Sequence, residues 1–365
     1  MNFDFSEEQV ALQDTVRRFI SKDYTFEKRL AIRDADPGWS REVWQALADL
    51  GVLALNIDED YGGLGYGPQE TGQVMGAFGA GLLLEPYLAG AVIAPAVIRR
   101  TASADYQEQW LPGIATGETI VVLAHADARN EPVTEISGSL SGRKAVVAHG
   151  GCADLLLVSA RLADGSIGLF AVTPGMEGVT LRDYPTLDGQ RAADIVLSNA
   201  PATRIDAGDA LDAIDAGLAI GLAALCAEAV GIMDATIAAT TDYLKTRQQF
   251  GQPIGRFQAL QHRMADMLLH LEQARSMSYL AAMHCTDQNQ AARQRILSAA
   301  KVTIGQACRF IAQNAVQLHG GMGMTDELML SHWFKRLTAI EMSFGDTDYH
   351  LQRFAALSRQ ASHTA

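Results

Sequence analysis

The sequence predicts an α+β protein built from three successive regions. These are an N-terminal helical domain over residues 1–117, a middle antiparallel β domain over 118–205 and a C-terminal four-helix bundle over 206–365. Apolar residues recur at helical spacing in the first and last regions, whereas short β-rich runs separated by turn-forming residues occupy the middle. After Asp206 the chain contains little Pro and much Ala, Leu, Met and Gln, which is typical of long helices.

The N-terminal region opens with a pattern that starts helices. Ser6 is followed three residues later by Gln9, as in a capping box, and apolar residues then recur at helical spacing. Two further helical segments are predicted over Trp44–Leu53 and Thr71–Arg100. The glycine-rich stretch Tyr61–Gly67 separates them.

The middle and C-terminal regions differ in their periodicity. Gly, Asp, Asn and Pro separate five predicted strands, namely Ile120–Ala124, Ala145–Ala148, Leu155–Ser159, Gly168–Val172 and Asp194–Leu197. Four long helices are then predicted at about residues 209–246, 258–285, 290–318 and 326–357. Helices of this length and number are typical of a bundle.

Composition narrows the classes of partner. Hydrophobic residues make up 48% and charged residues 19% of the 365 residues, as in ordinary globular proteins. A formal net charge of -13 opposes binding to nucleic acid and to anionic membranes, so neither partner is expected.

The four cysteines form no close pair, which argues against disulfides and a structural zinc site, so we expect no metal and a cytoplasmic location. The start MNFDFSEEQ lacks the basic and then apolar pattern of a signal peptide, and no run of 18 apolar residues follows.

A motif between two predicted helices combines a cation, an aromatic ring and an amide. It runs from Arg247 to His262, with Phe250 three residues after the arginine and Gln258 at the start of the next helix. A guanidinium pairs with phosphate oxygens and a helix N-terminus favours anions, so the motif suits a diphosphate joined to a planar heterocycle. An interhelical loop whose arginine is a solvated surface charge is the alternative.

Two further segments have both functional and structural interpretations. In Gln317–Met324, three glycines follow a helix, where they allow close approach of a ligand or simply end the helix. In Glu341–His350, the carboxylates are acid–base groups or charges that stabilise a helix N-terminus.

Together, in this order and on this layout, the three motifs resemble the acyl-CoA dehydrogenase family, and the resemblance spans essentially the whole chain. Asp58–Gly65 also looks like the N-terminal signature of that family. The resemblance implies an FAD-dependent α,β-dehydrogenation of an acyl-CoA thioester. In this reaction a carboxylate removes the α-proton, the β-hydride passes to flavin N5, and an electron-transfer flavoprotein reoxidises the flavin.

The resemblance also implies which residues contact FAD, because in this family FAD lies between subunits and takes contacts from two chains. The contacts that one chain donates to its neighbour's flavin are intact here. The matching residues are Arg247, Gln249, Phe250, Phe257 and Gln258 in the first motif and Gln317, Leu318, His319, Gly320 and Gly321 in the second.

The half of the site that acts within one chain departs from the family. Leu123–Asp127 replaces a Thr-Glu-Pro stretch, Val146–Ala148 replaces a Trp-Ile-Thr stretch against the flavin, and Ala219–Leu222 lacks an arginine for the CoA nucleotide. Gly345 stands where the catalytic glutamate is expected. Asp346 is the nearest candidate base, but a neighbouring position does not substitute freely for a precisely placed base.

This pattern predicts an accessory subunit that completes the FAD site of a partner. The resemblance is greatest to the small subunits of heteromeric members such as pimeloyl-CoA dehydrogenase. We therefore expect an α2β2 heterotetramer with a catalytic acyl-CoA dehydrogenase subunit, which binds the acyl-CoA. Two alternatives stay open, namely a self-sufficient homotetramer with Asp346 as base and a non-catalytic helical scaffold.

Overall fold

The structure is a computed structural model that describes residues 6–364, with the side chains of residues 6–360. The expectation about a missing leader pattern falls partly on residues 1–5, which lie outside the described residues. The predicted capping box is present, because Gln9 N–H donates to Ser6 Oγ and Ser6 N–H donates to Gln9 Oε1.

Helices form both the N-terminal and the C-terminal parts of the described chain. Their bounds are α1 Glu7–Lys22, α2 Phe26–Asp34, α3 Arg41–Asp49, α4 Pro68–Gly81, α5 Ala94–Thr101, α6 Ala104–Ala115, α7 Leu211–Thr246, α8 Gln258–His284, α9 Gln290–His319, α10 Met329–Met342 and α11 Thr347–Thr364.

Strands fill the middle of the chain, as predicted. They are β1 Val121–Ala124, β2 Thr134–Ile136, β3 Ser139–Ala148, β4 Leu155–Arg161, β5 Ile167–Val172, β6 Val179–Pro185, β7 Arg191–Pro201 and β8 Thr203–Arg204. A separate hairpin pairs β9 Gln248–Gln249 with β10 Gln252–Pro253. The predicted α+β fold class, with helical, β and helical regions in that order, is confirmed.

The sheet runs in the order β6-β7-β3-β2-β4-β5-β8, with β1 beside β4. Most pairs are antiparallel, but β1 and β2 both pair with β4 in parallel, which corrects the prediction of a purely antiparallel sheet. The chain reverses from β2 into β3 and again before β4, so β4 runs in the direction of β2.

Two predicted helices are interrupted. The segment Thr71–Arg100 breaks after α4, because Leu82 has a φ of 56° and Pro86 follows. The predicted helix over 326–357 is α10 followed by α11, with Phe344 at φ 60° and Gly345 at φ 99° between them. The C-terminal region therefore contains five helices from α7 to α11 among the described residues, and not four.

The described residues divide into two compact units. The helical unit comprises the residues up to Arg29, Pro68–Leu83 and the chain from Leu222 onward, so it contains α1, α4, most of α7 and α8–α11. The sheet unit comprises Leu30–Gly67 and Leu84–Gly221. The limits of the three successive domains stay a prediction.

The longest helix, α7, is strongly apolar. Its length and a mean hydropathy of 2.0 over 18 residues would allow it to cross a membrane, yet 83% of that window is buried within the protein. This burial is typical of a core helix in a globular fold.

Candidate functional site

The hairpin that follows α7 presents an aromatic ring to solvent. Phe250 and Gly251 form its two-residue turn, and both have positive φ, at 53° and 77°. Turns of this kind favour Asn-Gly or Gly-Gly, so phenylalanine at the first position strains the backbone. The Phe250 side chain is nevertheless 90% exposed. Strain combined with exposure at one residue is typical of a functional position.

Arg247 stands at the base of the same hairpin. Its carbonyl accepts a hydrogen bond from Ile254 N–H at 2.9 Å, which closes the hairpin. Its side chain is exposed, and no carboxylate among the described residues pairs with the guanidinium. The guanidinium is therefore available for an external anion such as a phosphate.

The second motif lies beside the end of α7. The ring of His319, the last residue of α9, stacks on Tyr243 of α7 with 4.3 Å between centroids. The Tyr243 hydroxyl donates to the His319 carbonyl at 3.3 Å, and His319 Nδ1 donates to the Ala315 carbonyl at 2.9 Å. Burial lowers the pKa of His319, so the ring is neutral near pH 7. These contacts tie the Gln317 motif to the helix that carries the Arg247 motif.

The predicted FAD contacts fall into three groups by exposure. Solvent-exposed positions are Arg247, Gln249, Phe250, Gln258, Gln317, Gly320 and Gly321. Phe257 is half-buried and packs edge-to-face against Phe250, with 6.0 Å between centroids. The side chains of Leu318 and His319 are buried in the helical unit, so only their backbone is suited to contact a ligand. The assignment of all ten residues to FAD stays a prediction.

The position expected for the catalytic base cannot carry a side chain in this conformation. Gly345 has a φ of 99°, and a Cβ built there would collide with the ring of Tyr349. Lys301, which is 1% exposed, holds this turn by donating to the carbonyls of Glu341 at 2.8 Å and Gly345 at 2.9 Å. The turn between α10 and α11 is therefore fixed around a glycine.

The carboxylates near this turn are engaged in the fold. Asp346 is exposed and caps α11, because its Oδ1 accepts from Tyr349 N–H at 2.8 Å. Glu341 is buried and accepts hydrogen bonds from Arg309 at 3.0 Å and from the Thr347 hydroxyl at 2.8 Å. Each of these two carboxylates thus has a structural role. The structure adds no support for Asp346 as the catalytic base, and that assignment stays a prediction.

Glu228 of α7, another buried carboxylate, is also paired. Arg336 donates to both of its carboxylate oxygens, at 2.6 and 2.9 Å, and both residues are largely buried. This bidentate pair joins α7 to α10 within the helical unit. Its geometry agrees with a structural role.

A buried polar cluster lies where the sequence departs from the family's flavin wall, and sequence reasoning missed it. Lys144 is 1% exposed, and its Nζ donates to Asp127 at 2.6 Å, to Ser159 Oγ at 3.0 Å and to the His125 carbonyl at 2.9 Å. Burial lowers the pKa of both Lys144 and His125. The lysine directly before the predicted strand Ala145–Ala148 was the available indication.

The next residues of β3 are also irregular. A bulge lies between Lys144 and Val147, and Val146 within it has a φ of 52° and is 65% exposed. The amide of Val146 donates to Asp194 Oδ1 at 3.1 Å. Valine there offers neither an aromatic face nor a hydroxyl.

Comparisons with known proteins identify the family. Residues 6–118 match the model of the acyl-CoA dehydrogenase N-terminal domain, and residues 211–357 match that of the acyl-CoA dehydrogenase C-terminal domain. The two matches together cover more than half of the chain. The chain belongs to the acyl-CoA dehydrogenase family. Members of this family are FAD-dependent oxidoreductases, and homologues bind FAD.

Similar acyl-CoA dehydrogenases share nearly the full length of the chain. Acyl-CoA dehydrogenase FadE27 of Mycobacterium tuberculosis is 26% identical, and the match covers 97% of both proteins. A variant of the Tcur3481–Tcur3483 steroid ACAD has a TM-score of 0.89 at 26% identity over 98% of this chain and 99% of that one. The ChsE4–ChsE5 complex from Mycobacterium tuberculosis has a TM-score of 0.88 at 25% identity, with 98% of each chain covered. Both of these structural neighbours are heteromeric complexes.

Proposed function

We propose that this chain is the accessory subunit of a heteromeric FAD-dependent acyl-CoA dehydrogenase, in which it completes a partner's FAD site. One observation carries the proposal. The chain keeps an exposed cation and a strained, exposed aromatic ring on one hairpin, while the position of the catalytic glutamate is Gly345.

The exposed hairpin fits the donated half of an FAD site. Arg247 would bind the diphosphate through charge-assisted hydrogen bonds, and Phe250 would lie against a planar ring. Gln317 and the exposed Gly320–Gly321 backbone would supply further polar contacts at the end of α9. A non-catalytic scaffold would have no need to hold Phe250 in a strained backbone at 90% exposure.

The local geometry favours a base supplied by the partner. A longer side chain at Gly345 would displace Tyr349, and Asp346 is turned into the cap of α11. When bound, FAD accepts the β-hydride of the acyl group. The partner's carboxylate would remove the α-proton, while Arg247, Phe250 and Gln317 of this chain would hold the cofactor in position.

Two heteromeric structural neighbours support this assignment of the base and of the donated FAD contacts to different subunits. The Tcur3481–Tcur3483 and ChsE4–ChsE5 assemblies are each heteromeric and match this chain over 98% of its length. We further propose that this chain is of the small-subunit type resembling that of pimeloyl-CoA dehydrogenase. The β-domain phrases Gly142–Val147, Ala153–Arg161 and Tyr184–Gly189 carry that resemblance. An electron-transfer flavoprotein would reoxidise the assembled enzyme.

Removing the one candidate base of this chain tests the proposal. The chain would be co-expressed with an acyl-CoA dehydrogenase of the same genome that carries glutamate at the base position. The Asp346→Asn variant should keep most of the kcat of the complex, because a helix cap and not a base is altered. Asp348→Asn, a neighbouring exposed carboxylate in the first turn of α11, is the matched control. A loss of several orders of magnitude in kcat with Asp346→Asn alone, at unchanged FAD content, would favour the self-sufficient homotetramer.

A further inference from the structure

A cavity of about 500 Å³ lies inside the helical unit, between α1, α4, α7 and α8. Polar side chains from these helices line it, including Gln13, Arg17, Gln73, Asp234, Arg275 and Ser278. None of the residues predicted to contact FAD and neither of the residues considered for the base position belongs to its lining. The volume is in the range of small-molecule sites.

The cavity follows from the way α4 packs on α7. A Cβ at Gly231 would collide with the carbonyl of Gly76, so the two helices touch through their backbones at this point. Small residues beside the contact then leave space between the helices; those in the lining are Gly72, Ala77 and Ala80 of α4 and Ala227, Ala235 and Ala238 of α7. The wall made by α4 and α7 is therefore largely apolar.

Gln73 of α4 is a buried polar residue in that wall. Its side chain is only 6% exposed, and neither Oε1 nor Nε2 meets a hydrogen-bond partner among residues 6–360. A buried amide without a protein partner is costly, because it loses its hydration without compensation. Gln73 is a cavity-lining residue, so a bound molecule could satisfy both its acceptor and its donor.

The charged lining residues differ in how they are paired. Arg275 pairs with Asp234 at 3.3 Å and with Glu272 at 3.5 Å, so its charge is compensated locally. Arg17 of α1 is exposed and has no carboxylate partner among the described side chains. The buried polar group that a ligand must match is thus the uncharged amide of Gln73.

We propose that this cavity is a binding site, separate from the FAD site, for a small molecule with an apolar body and a carboxamide or un-ionised carboxyl group. Such a group places a carbonyl acceptor beside an N–H or O–H donor. It can therefore form paired hydrogen bonds with the Oε1 and Nε2 of Gln73, while the apolar body packs against the Gly and Ala wall.

The test compares two amides with the same alkyl chain, of which only one has N–H donors. Decanamide and N,N-dimethyldecanamide would each be titrated into the purified full chain and followed by calorimetry and tryptophan fluorescence. Trp333 is a suitable reporter because its Nε1 donates to the carbonyl of the cavity-lining Ala80 at 3.0 Å. Decanamide should bind saturably and about tenfold more tightly than its dimethyl form, as expected for one additional hydrogen bond to a buried partner.

Three variants locate the binding. Gln73→Leu should reduce the difference between the two amides to about twofold or less. Ala235→Phe should fill the cavity and abolish binding of both amides. Gln273→Leu, an exposed glutamine of α8 outside the lining, should bind both amides as the native chain does.

Three results would overturn the proposal. They are no saturable binding of decanamide by the native chain, equal affinity of the native chain for the two amides, and full discrimination retained by Gln73→Leu. The first two need no variant, so they decide the matter even where a substitution prevents folding. The titration does not depend on flavin content or turnover, so it is independent of the proposed accessory role.

Discussion

At the residue scale, backbone conformation separates Phe250 from Gly345. Both have positive φ, but Phe250 keeps a large side chain in that conformation, whereas at Gly345 a side chain would collide with Tyr349. A strained phenylalanine persists only where the surrounding structure or a function requires it. A glycine at positive φ requires no such explanation. The contrast supports Phe250 as a candidate binding residue, whereas the conformation at Gly345 is explained by the turn alone.

The charge of Arg247 gives the first prediction. Arg247→Ala should weaken FAD retention by the assembled complex by about 1.5–3 kcal/mol, because it removes charge-assisted hydrogen bonds to a diphosphate. Flavin absorbance after gel filtration measures the retention. The control is Arg18→Ala, which removes an exposed arginine of α1, away from the hairpin motif. This variant should leave FAD content unchanged. Full FAD occupancy in Arg247→Ala would contradict the assignment.

His350 makes the stability of the helical unit depend on pH. Its ring is 1% exposed, with Nε2 donating to the Phe344 carbonyl at 3.0 Å and Nδ1 accepting from the Ser298 hydroxyl at 3.2 Å. Burial lowers the pKa of His350 from 6.5 to about 4. The pKa of His350 is lower in the folded than in the unfolded protein. The neutral ring therefore makes its full contribution to the unfolding free energy above pH 6.5, and this contribution is lost as the pH falls towards 4.

The variant His350→Gln isolates the pH-dependent contribution of His350 to the unfolding free energy. Between about pH 7 and about pH 5, the native chain should lose about 2 kcal/mol of unfolding free energy through this group. His350→Gln, whose amide can still donate to the Phe344 carbonyl, should lose about 2 kcal/mol less over the same interval. Urea unfolding at both pH values provides the measurement. Parallel losses in the two proteins would show that His350 is not responsible.

At the element scale, the β9–β10 hairpin should show a trade-off between stability and binding. Phe250→Asn places a residue suited to positive φ at the turn, so it should raise the unfolding free energy by about 0.5–1 kcal/mol. The same change removes the exposed ring and should lower FAD content. Phe250→Leu keeps the strain without the aromatic face, and is therefore expected to lower FAD content without the gain in stability. Urea unfolding and flavin absorbance would be measured for both, and unchanged FAD content in both would count against a role for the ring.

Elements with strong local patterns were predictable from the sequence. The predicted 258–285 and 290–318 agree with α8 and α9 within one residue at each end. The break between α10 and α11 was missed, because Lys301, distant in sequence, holds the turn at Gly345. Strand β6 was missed as well, although Val179–Pro185 pairs along its length with β7.

The candidate site was predictable only in part, because some of its features depend on contacts between residues that are distant in sequence. Sequence motifs indicated Arg247, Phe250 and Gln317, since these contacts lie on contiguous segments. The Lys144 cluster and the unsatisfied amide of Gln73 depend on which side chains meet in space. No periodicity in one sequence contains that information, so these two features required the structure.

At the scale of the whole molecule, the proposed function assigns to this chain an intact donated half of an FAD site and an altered receiving half. In a four-chain assembly, each of four potential sites would combine the receiving half of one chain with the Arg247 and Gln317 motifs of a neighbour. On the receiving side, this chain has Val146 on a bulge and Gly345 at the base position. FAD sites that depend on these residues would lack an aromatic wall and a base.

We therefore expect an α2β2 heterotetramer that binds two FAD molecules. FAD sites whose receiving half comes from the partner would be complete, because this chain would donate Arg247, Phe250 and Gln317 to them. FAD sites whose receiving half comes from this chain would stay without FAD. Native mass spectrometry of the co-expressed complex gives the subunit ratio, and flavin absorbance gives the number of FAD per tetramer. Arg247→Ala in this chain should then reduce the FAD bound at the partner's sites, which links the stoichiometry to the donated contacts. A tetramer of this chain alone with one FAD per chain, bleached by acyl-CoA, would refute both the heteromeric assembly and the loss of the receiving half.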